Sequence, residues 1–303
     1  MAPMRPKWIA VLFLLLLPPP AFSADEGDSP YRVDRGFFKL PPDLKLGAVS
    51  GVATDPKGNV LLFHRGPRPI LVFDAAGNFV RSFGDGVFDS AHGLRVDGEG
   101  NVWATDNANH TVVKFDPAGK VLLTLGERGV AGADERHFDK PTDVAFAPNG
   151  DVYVSDGYGN SRVVKFDRAG KFLLAWGSKG DGEGQFNLPH AVRVDSKGRV
   201  LVADRENKRV QVFDADGKFL RYGPRGVSPY GLFLTGDDTL FVADGVSNQV
   251  LKLSQDGKQV AAWGGGGREQ GKFLLPHAIC VGPDGAVYVT EITGARAQRF
   301  VPR

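Results

Sequence analysis

The chain repeats one pattern of short apolar strands and glycine turns six times. Each copy opens on a variable residue that leads an apolar strand, and the six are Ser50, His92, Thr142, His190, Tyr230 and His277. Their spacings of 42, 50, 48, 40 and 47 residues match the length of a four-stranded propeller blade. Because one such sheet cannot cover its own faces, the copies must stack on one another. The repeat predicts an all-β, six-bladed β-propeller.

Turn residues recur at fixed places within each copy. A glycine turn such as Asp55-Pro56-Lys57-Gly58 follows the first strand, and Phe-Asp with glycine three residues after the Asp ends the third. The second strand ends in an acid in five copies, at Asp106, Asp156, Asp204, Asp244 and Glu291. Glycines at these points supply the positive φ angles that antiparallel hairpins need.

The two ends of the chain complement each other. The sixth copy stops at Phe300 after three strands, and the segment from Tyr31 to Lys39 forms an unassigned strand before the first copy. We expect that segment to be the outer strand of the last blade, because this placement removes an open sheet edge. The repeat leaves no internal boundary, so residues 24–303 are predicted to form one domain.

The first 23 residues are typical of a signal peptide. Arg5 and Lys7 precede an apolar run from Trp8 to Leu17, and the small-x-small triplet Ala21-Phe22-Ser23 follows. The run is too short to span a bilayer, which disfavours the alternative of a membrane anchor. We therefore expect an exported protein, periplasmic or secreted, with no membrane attachment after cleavage.

Charge and cysteine content exclude two further classes. Residues 1–23 carry two positive charges, so their removal takes the formal net charge of +2 to about zero. Without a basic stripe, nucleic acid is a poor partner. The single cysteine, Cys280, lies in an apolar strand and has no internal disulfide partner, so the core alone must stabilise the fold.

Histidine takes the variable position in alternate blades, at His92, His190 and His277. Alternate positions on a six-fold ring are related by a pseudo-three-fold axis, so these imidazoles should converge in the channel. Three neutral histidines with open positions opposite describe a catalytic zinc site. The alternative is that each is an ordinary polar residue at a strand end. His64, His110 and His137 fall outside this register and receive no role.

At these residues the chain resembles a known family. The segments that carry the resemblance are Phe63-His64-Arg65-Gly66, His92-Gly93-Leu94, Asp156-Gly157-Tyr158-Gly159-Asn160-Ser161-Arg162, Leu188-Pro189-His190 and Ala203-Asp204-Arg205-Glu206-Asn207. Together they look like the peptidyl-α-hydroxyglycine α-amidating lyases, six-bladed propellers of the NHL-repeat class. The resemblance runs from about Val49 to the C-terminus.

The resemblance implies an activity and a set of site residues. Family members cleave an α-hydroxyglycine unit to a primary amide and glyoxylate, so the expected partner is a small molecule or peptide ending in α-hydroxyglycine. Zinc would be held by the three histidines named above. Tyr158 matches the base, Arg65 matches the arginine beside the substrate carboxylate, and Arg205 matches a second arginine near the site.

Two departures from the family pattern concern stability. The family has Asp after the third histidine, where it helps bind calcium together with backbone carbonyls that match Val52 and Leu94. Ala278 takes that place here, which puts calcium in doubt. The cysteines of a family disulfide would fall at Asp139 and Gly159, so both are missing together.

Two other functions remain open from the sequence. A calcium-dependent lactonase-like propeller would need carboxylate and amide ligands on the axis rather than three histidines. A non-catalytic NHL-repeat scaffold would bind a protein or glycan on one face and would need no metal.

Overall fold

The computed structural model describes residues 29–303, and every regular element in that range is a β-strand. None of these residues forms a helix long and apolar enough to cross a membrane. The predicted signal peptide, residues 1–23, lies outside the described residues.

Six four-stranded antiparallel sheets, one per repeat, form the ring. Blades 1 and 2 are β2 (Val49–Thr54), β3 (Val60–His64), β4 (Ile70–Phe73), β5 (Phe79–Phe83), and β6 (Ala91–Val96), β7 (Val102–Asp106), β8 (Thr111–Phe115), β9 (Val121–Leu125). Blades 3 and 4 are β10 (Pro141–Phe146), β11 (Val152–Asp156), β12 (Arg162–Phe166), β13 (Phe172–Trp176), and β16 (Pro189–Val194), β17 (Val200–Asp204), β18 (Arg209–Phe213), β19 (Phe219–Arg225). Blades 5 and 6 are β20 (Pro229–Leu234), β21 (Leu240–Asp244), β22 (Gln249–Leu253), β23 (Gln259–Gly264), and β24 (Pro276–Val281), β25 (Val287–Glu291), β26 (Arg296–Pro302), β1 (Tyr31–Asp34). A short parallel pair, β14 (Ser178–Lys179) with β15 (Gln185–Phe186), lies between blades 3 and 4.

The first strand of each blade lines the channel. Neighbouring first strands contact each other around the ring, and β24 contacts β2 to complete it. The apolar core is six layers, each between two adjacent blades. Phe73 of blade 1 and Tyr288 of blade 6 share one layer, for example, and Phe63 and Phe115 of blades 1 and 2 share the next. Stability therefore depends on every blade having both neighbours.

The recurring Asp-x-x-Gly turns are held by their own side chains. Asp55 Oδ1, for example, accepts hydrogen bonds from the backbone N–H groups of Lys57 and Asn59, both at 2.9 Å. Gly58, three residues after the Asp, has φ of +82°, a conformation that favours glycine. The same arrangement recurs at Asp74, Asp97, Asp116, Asp167, Asp195 and Asp214.

The acids that end the second strands anchor the loops that lead into the channel. Asp156 accepts a hydrogen bond from the N–H of Asp139 at 2.9 Å, and Asp204 accepts one from Asn187 at 2.8 Å. In each case the donor lies three residues before the variable residue. His64 ends the second strand of blade 1, is fully buried and accepts from Gly47 through Nδ1 at 3.1 Å. It thus does in blade 1 what a carboxylate does in four of the other blades.

The N-terminal strand completes blade 6, as predicted. Tyr31 pairs with Pro302, and Asp34 pairs with Arg299. The strand is shorter than expected, because Gly36 at φ +74° turns the chain towards blade 1. The ring of Phe37 enters the core between blades 6 and 1, and Lys39 bridges to Asn78 of blade 1.

Candidate metal centre

The six variable residues all lie where the first strand of a blade departs from regular pairing. Register shifts interrupt the pairing of the first and second strands at each of them. Such a bulge redirects a side chain that regular pairing would place against the neighbouring blade. The three histidines are buried, and their ring centroids are separated by 4.8, 4.8 and 4.9 Å. The structure thus brings them together in the nearly equilateral triangle that the repeat predicts.

The other three variable residues hold the histidines in place. The Nδ1 atoms of His92, His190 and His277 lie 2.6, 2.6 and 2.7 Å from the carbonyl oxygens of Thr142, Tyr230 and Ser50. A carbonyl can only accept, so each Nδ1 carries the proton and each Nε2 keeps its lone pair. The backbone of every second blade therefore sets the tautomer of the histidine before it.

Burial and nearby charge keep these imidazoles neutral. Burial lowers the pKa of His92 and of His190 well below the usual 6.5, and neighbouring histidines and the guanidinium of Arg205 lower both further. Burial also lowers the pKa of His277 to about 3. Neutral imidazole is the form that binds metal. The ligand atoms all lie within 4.8 Å of one another, and no other such cluster occurs in residues 29–303.

Tyr158 lies directly against the histidines. It follows β11, and its hydroxyl oxygen is 3.2 Å from His92 Nε2 and 3.1 Å from His190 Nε2. The side chain is 37% exposed, so a molecule entering from solvent can reach it. Gly157 lets the loop approach blade 4 closely, because a Cβ there would lie 2.0 Å from the carbonyl oxygen of Pro189.

Arg205 binds Tyr158 from the next blade. Its Nη1 donates to the Tyr158 hydroxyl at 3.3 Å, while its Nε donates to Glu206 at 2.8 Å. The guanidinium carbon also lies 4.5 Å from the ring centroid of Tyr230. Glu206 and Tyr230 thus fix the arginine. Neither role was predicted from the sequence, although an acid directly after Arg205 is a signal for such an ion pair.

Arg65 approaches the centre from blade 1. It follows β3, is exposed, and donates through Nε to the carbonyl oxygen of Ala91 at 3.1 Å. Ala91 directly precedes His92, so the guanidinium lies at the rim beside that histidine. Its charge lowers the pKa of both His92 and His277, but the structure places no hydrogen bond between Arg65 and Tyr158 or Arg205.

Known proteins share the repeat and are similar to this chain over most of its length. A family model described as NHL repeat matches residues 88–115, 138–166 and 186–213. NHL repeat-containing protein 3 of Homo sapiens is 34% identical over 301 residues, which cover 90% of this chain and 84% of that protein. The probable peptidyl-alpha-hydroxyglycine alpha-amidating lyase pgal-1 of Caenorhabditis elegans is 28% identical over 317 residues, with 89% and 87% covered.

The chain belongs to the NHL-repeat propeller family that includes the peptidyl-α-hydroxyglycine α-amidating lyases. This confirms the resemblance read from the sequence. Peptidyl-glycine alpha-amidating monooxygenase B of Xenopus laevis is 33% identical over 303 residues, which cover 86% of this chain. The chain spans about a third of the length of that relative, 34%. Among solved structures, a streptogramin B lyase has a TM-score of 0.66 at 16% identity, covers 90% of this chain and 98% of its own, and shares the fold.

The structure also shows the two places where this sequence differs from the family pattern, the missing disulfide and the calcium position. Positions 139 and 159 are adjacent, since Gly159 donates to the carbonyl oxygen of Asp139 at 2.9 Å and a Cβ on Gly159 would meet the Asp139 carboxyl group. At the calcium position, the carbonyl oxygen of Leu94 accepts a hydrogen bond from Arg95 Nη1 at 2.7 Å. Ala278 offers a methyl group there instead of a carboxylate. Calcium takes about six to eight oxygen ligands, and these residues do not fit it.

Proposed function

We propose that the protein is a zinc-dependent lyase that cleaves an α-hydroxyglycine unit to a primary amide and glyoxylate. The observation that carries this proposal is the contact of one phenol with two neutral histidines of a three-histidine centre. The Tyr158 hydroxyl lies 3.1 and 3.2 Å from the two Nε2 atoms and 3.3 Å from Arg205 Nη1. Relatives named as amidating lyases support the reaction class.

The donor set fits zinc better than it fits a hard cation. Three neutral imidazole nitrogens, each oriented by a backbone carbonyl, form the ligand set of many catalytic zinc sites. When bound, zinc would act as a Lewis acid on the substrate hydroxyl oxygen. The hydroxyls of Ser50 and Thr142 donate instead to backbone carbonyls, at 3.3 Å to Phe63 and 2.8 Å to Pro189.

The chain's own residues account for the rest of the reaction. Tyr158 Oη is positioned to take the proton of the substrate hydroxyl. The carbon–oxygen bond then becomes the aldehyde of glyoxylate as the carbon–nitrogen bond breaks, while Tyr158 passes its own phenolic proton to the departing amide nitrogen and is left as the same neutral phenol. Atoms and electrons balance without an oxidant or water. Arg65 offers a planar fork for the carboxylate at the rim, and Arg205 keeps Tyr158 in place.

The proposed substrate is a small molecule or peptide ending in α-hydroxyglycine. Such a compound must come from a separate hydroxylation of a glycine α-carbon. We also propose that the protein works after export, in the periplasm or outside the cell, on the strength of the signal peptide predicted for residues 1–23.

Incubation of the zinc-loaded protein with α-hydroxyhippurate tests the proposal. We expect glyoxylate and benzamide in equal amounts, with loss of both products in His190→Ala. Formation of neither product by a folded protein that carries zinc would overturn the proposed reaction. Hydrolysis of the amide, recognised by benzoate among the products, would also contradict it.

A non-catalytic binding scaffold is the second candidate. The similarity to NHL repeat-containing protein 3, whose name states no activity, favours it. It predicts that binding of a macromolecule survives the loss of all three histidines. The remaining hypothesis from the sequence is a lactonase-like hydrolase. If it holds, the same preparation should open a lactone only when calcium is present.

A further inference from the structure

A second cluster of charged residues lies next to the histidine triangle inside the channel. Arg95 and Arg193 each come three residues after a histidine ligand, on β6 and β16, and Asp143 lies on β10 between them. Arg95 Nη2 and Arg193 Nη1 both donate to Asp143 Oδ2 at 2.8 Å. The three side chains are only 13%, 9% and 3% exposed. Two cations surround one anion, so the cluster carries a net charge of +1.

The same arginines occupy channel carbonyls. Arg95 Nη1 donates to the carbonyl oxygen of Leu94 at 2.7 Å, and Arg193 Nη1 donates to that of Val192. Leu94 and Val192 are each two residues after a histidine ligand, so the two contacts are equivalent under the pseudo-three-fold axis. Ala278 shares one cavity with Arg95, Asp143 and the histidines. It adds no carboxylate to the group.

We infer that the Arg95–Asp143–Arg193 cluster, through its net positive charge, takes the place of a metal cation in this channel and is its built-in cation. Neither the fold nor the histidine centre then uses a calcium ion. The carbonyl of Val192, equivalent to that of Leu94, accepts from Arg193. A divalent cation would have to compete with Arg95 for the carbonyl of Leu94, the one of these two that matches a calcium ligand of the family. It would also face a net positive cluster instead of the acidic ligands that calcium prefers. The guanidinium groups supply the positive charge that those carbonyls would otherwise receive from a metal.

The cluster also connects the strands that carry the metal ligands. Asp143 joins β6 to β16 across β10, and Thr142, its neighbour, provides the carbonyl that orients His92. Breaking one partner of a buried ion pair leaves an uncompensated charge, which destabilises strongly. The cluster is therefore a positioning device for His92 and His190 and does not itself bind metal or substrate.

Calcium titration of the zinc-loaded full chain tests the first half of the inference. We expect no binding heat with CaCl₂ and no change in melting temperature. Calcium binding that raises the melting temperature would overturn the inference. Neither readout uses glyoxylate release, so this result stands apart from the success or failure of the proposed lyase reaction.

Two variants separate the built-in cation from a merely incomplete calcium site. Ala278→Asp alone should remain insensitive to calcium, because Arg95 stays on the Leu94 carbonyl and pairs with the added carboxylate. Adding Arg95→Leu to Ala278→Asp frees that carbonyl and should produce calcium-dependent melting. Calcium-dependent melting in Ala278→Asp alone would contradict the inference, since it would show that Arg95 does not fill the site.

Replacing Arg95 alone tests whether the cluster positions His92 and His190. Arg95→Leu should lower the melting temperature and the zinc content of the purified protein. Arg168→Leu is the matched control, because Arg168 forms an ion pair with Glu99 in which both side chains are largely exposed. Zinc content in Arg95→Leu equal to that of the control would show that the cluster does not position the ligands.

Discussion

The six residues that ring the channel divide into three histidine side chains and three backbone acceptors. The repeat predicted the histidines, because equivalent positions in alternate blades must converge on the axis. It did not predict that the carbonyls of Ser50, Thr142 and Tyr230 would orient them. Any residue type can supply a backbone carbonyl, so the sequence does not reveal which carbonyls orient the histidines.

Tyr158→Phe tests the proton acceptor. The substitution keeps the ring between His92 and His190 but removes the hydroxyl that contacts both. Steady-state assays should show kcat lower by about 10²-fold or more, the usual effect of losing a general base. Zinc content and melting temperature should stay close to those of the unchanged protein.

Arg65→Lys provides the contrast to the tyrosine variant. It keeps a positive charge at the rim but loses the fork, so it should chiefly raise KM for substrates with a free carboxylate. A substrate whose carboxylate is esterified should not respond. If Tyr158→Phe and Arg65→Lys both leave cleavage unchanged, these residues do not have the roles proposed for them.

The pH dependence of the metal-free protein tests the burial of the ligands. The folded-state pKa of His277, about 3, lies below the unfolded value near 6.5. The unfolded chain therefore binds the proton first, and stability is lost as pH falls from about 6.5. Each such group contributes a slope of at most about 1.4 kcal/mol per pH unit.

Thermal melts of chelator-treated protein measure this slope at pH values from about 6.5, the usual histidine pKa, down to about 5. Melting temperature should fall with pH, and His277→Gln should flatten the fall. An identical pH profile for both proteins would contradict the neutral, buried state of His277.

At the scale of the structural element, the loops that end the second strands carry the residues nearest the centre. Arg65, Tyr158 and Arg205 all follow such strands, in blades 1, 3 and 4. Four acids and His64 anchor these loops or the segments that precede the variable residues. No role was predicted for His64 from the sequence, because it falls outside the register of the channel histidines. Aligned with the second-strand acids instead, it takes the same place in the repeat.

His64→Ala tests that anchor. It leaves the Gly47 N–H without its acceptor and opens space beside Gly66, where His64 now packs. An unsatisfied buried N–H costs about 1–3 kcal/mol, so chemical denaturation should show a loss of that order. The displaced Arg65 loop should also raise KM. His137→Ala, at a histidine in the loop before β10 whose ring contacts Asp134 and Glu127, is the control and should leave KM unchanged. Wild-type KM in a destabilised His64→Ala protein would limit the residue to a purely structural role.

At the scale of the whole molecule, the regular repeat made the architecture predictable. Five regular spacings, the glycine turns and the incomplete last copy together predicted the ring and its closure by the N-terminal strand. The early end of that strand was missed, because Gly36 was counted within it and not recognised as a turn. The charged channel cluster was missed as well. Arg95 and Arg193 look like surface residues of a strand until the bulges direct them inward.

Deletion of residues 29–39 tests the closure. It exposes β26 as an open edge and removes Tyr31, whose ring stacks on Trp263 at a centroid distance of 4.7 Å. It also removes Phe37 from the core between blades 6 and 1. The truncated protein should aggregate or melt markedly lower, whereas a chain that begins at Ser29 should keep its melting temperature. Equal melting of the two chains would show that the ring does not depend on this strand.

The most direct test of the central claim is a zinc titration of the metal-free protein, followed by the rate of glyoxylate release from α-hydroxyhippurate. We expect activity to appear with zinc and to reach a plateau at about one zinc per chain. His190→Ala should show neither tight binding nor the plateau. Full activity in protein shown by elemental analysis to contain no metal would contradict the account.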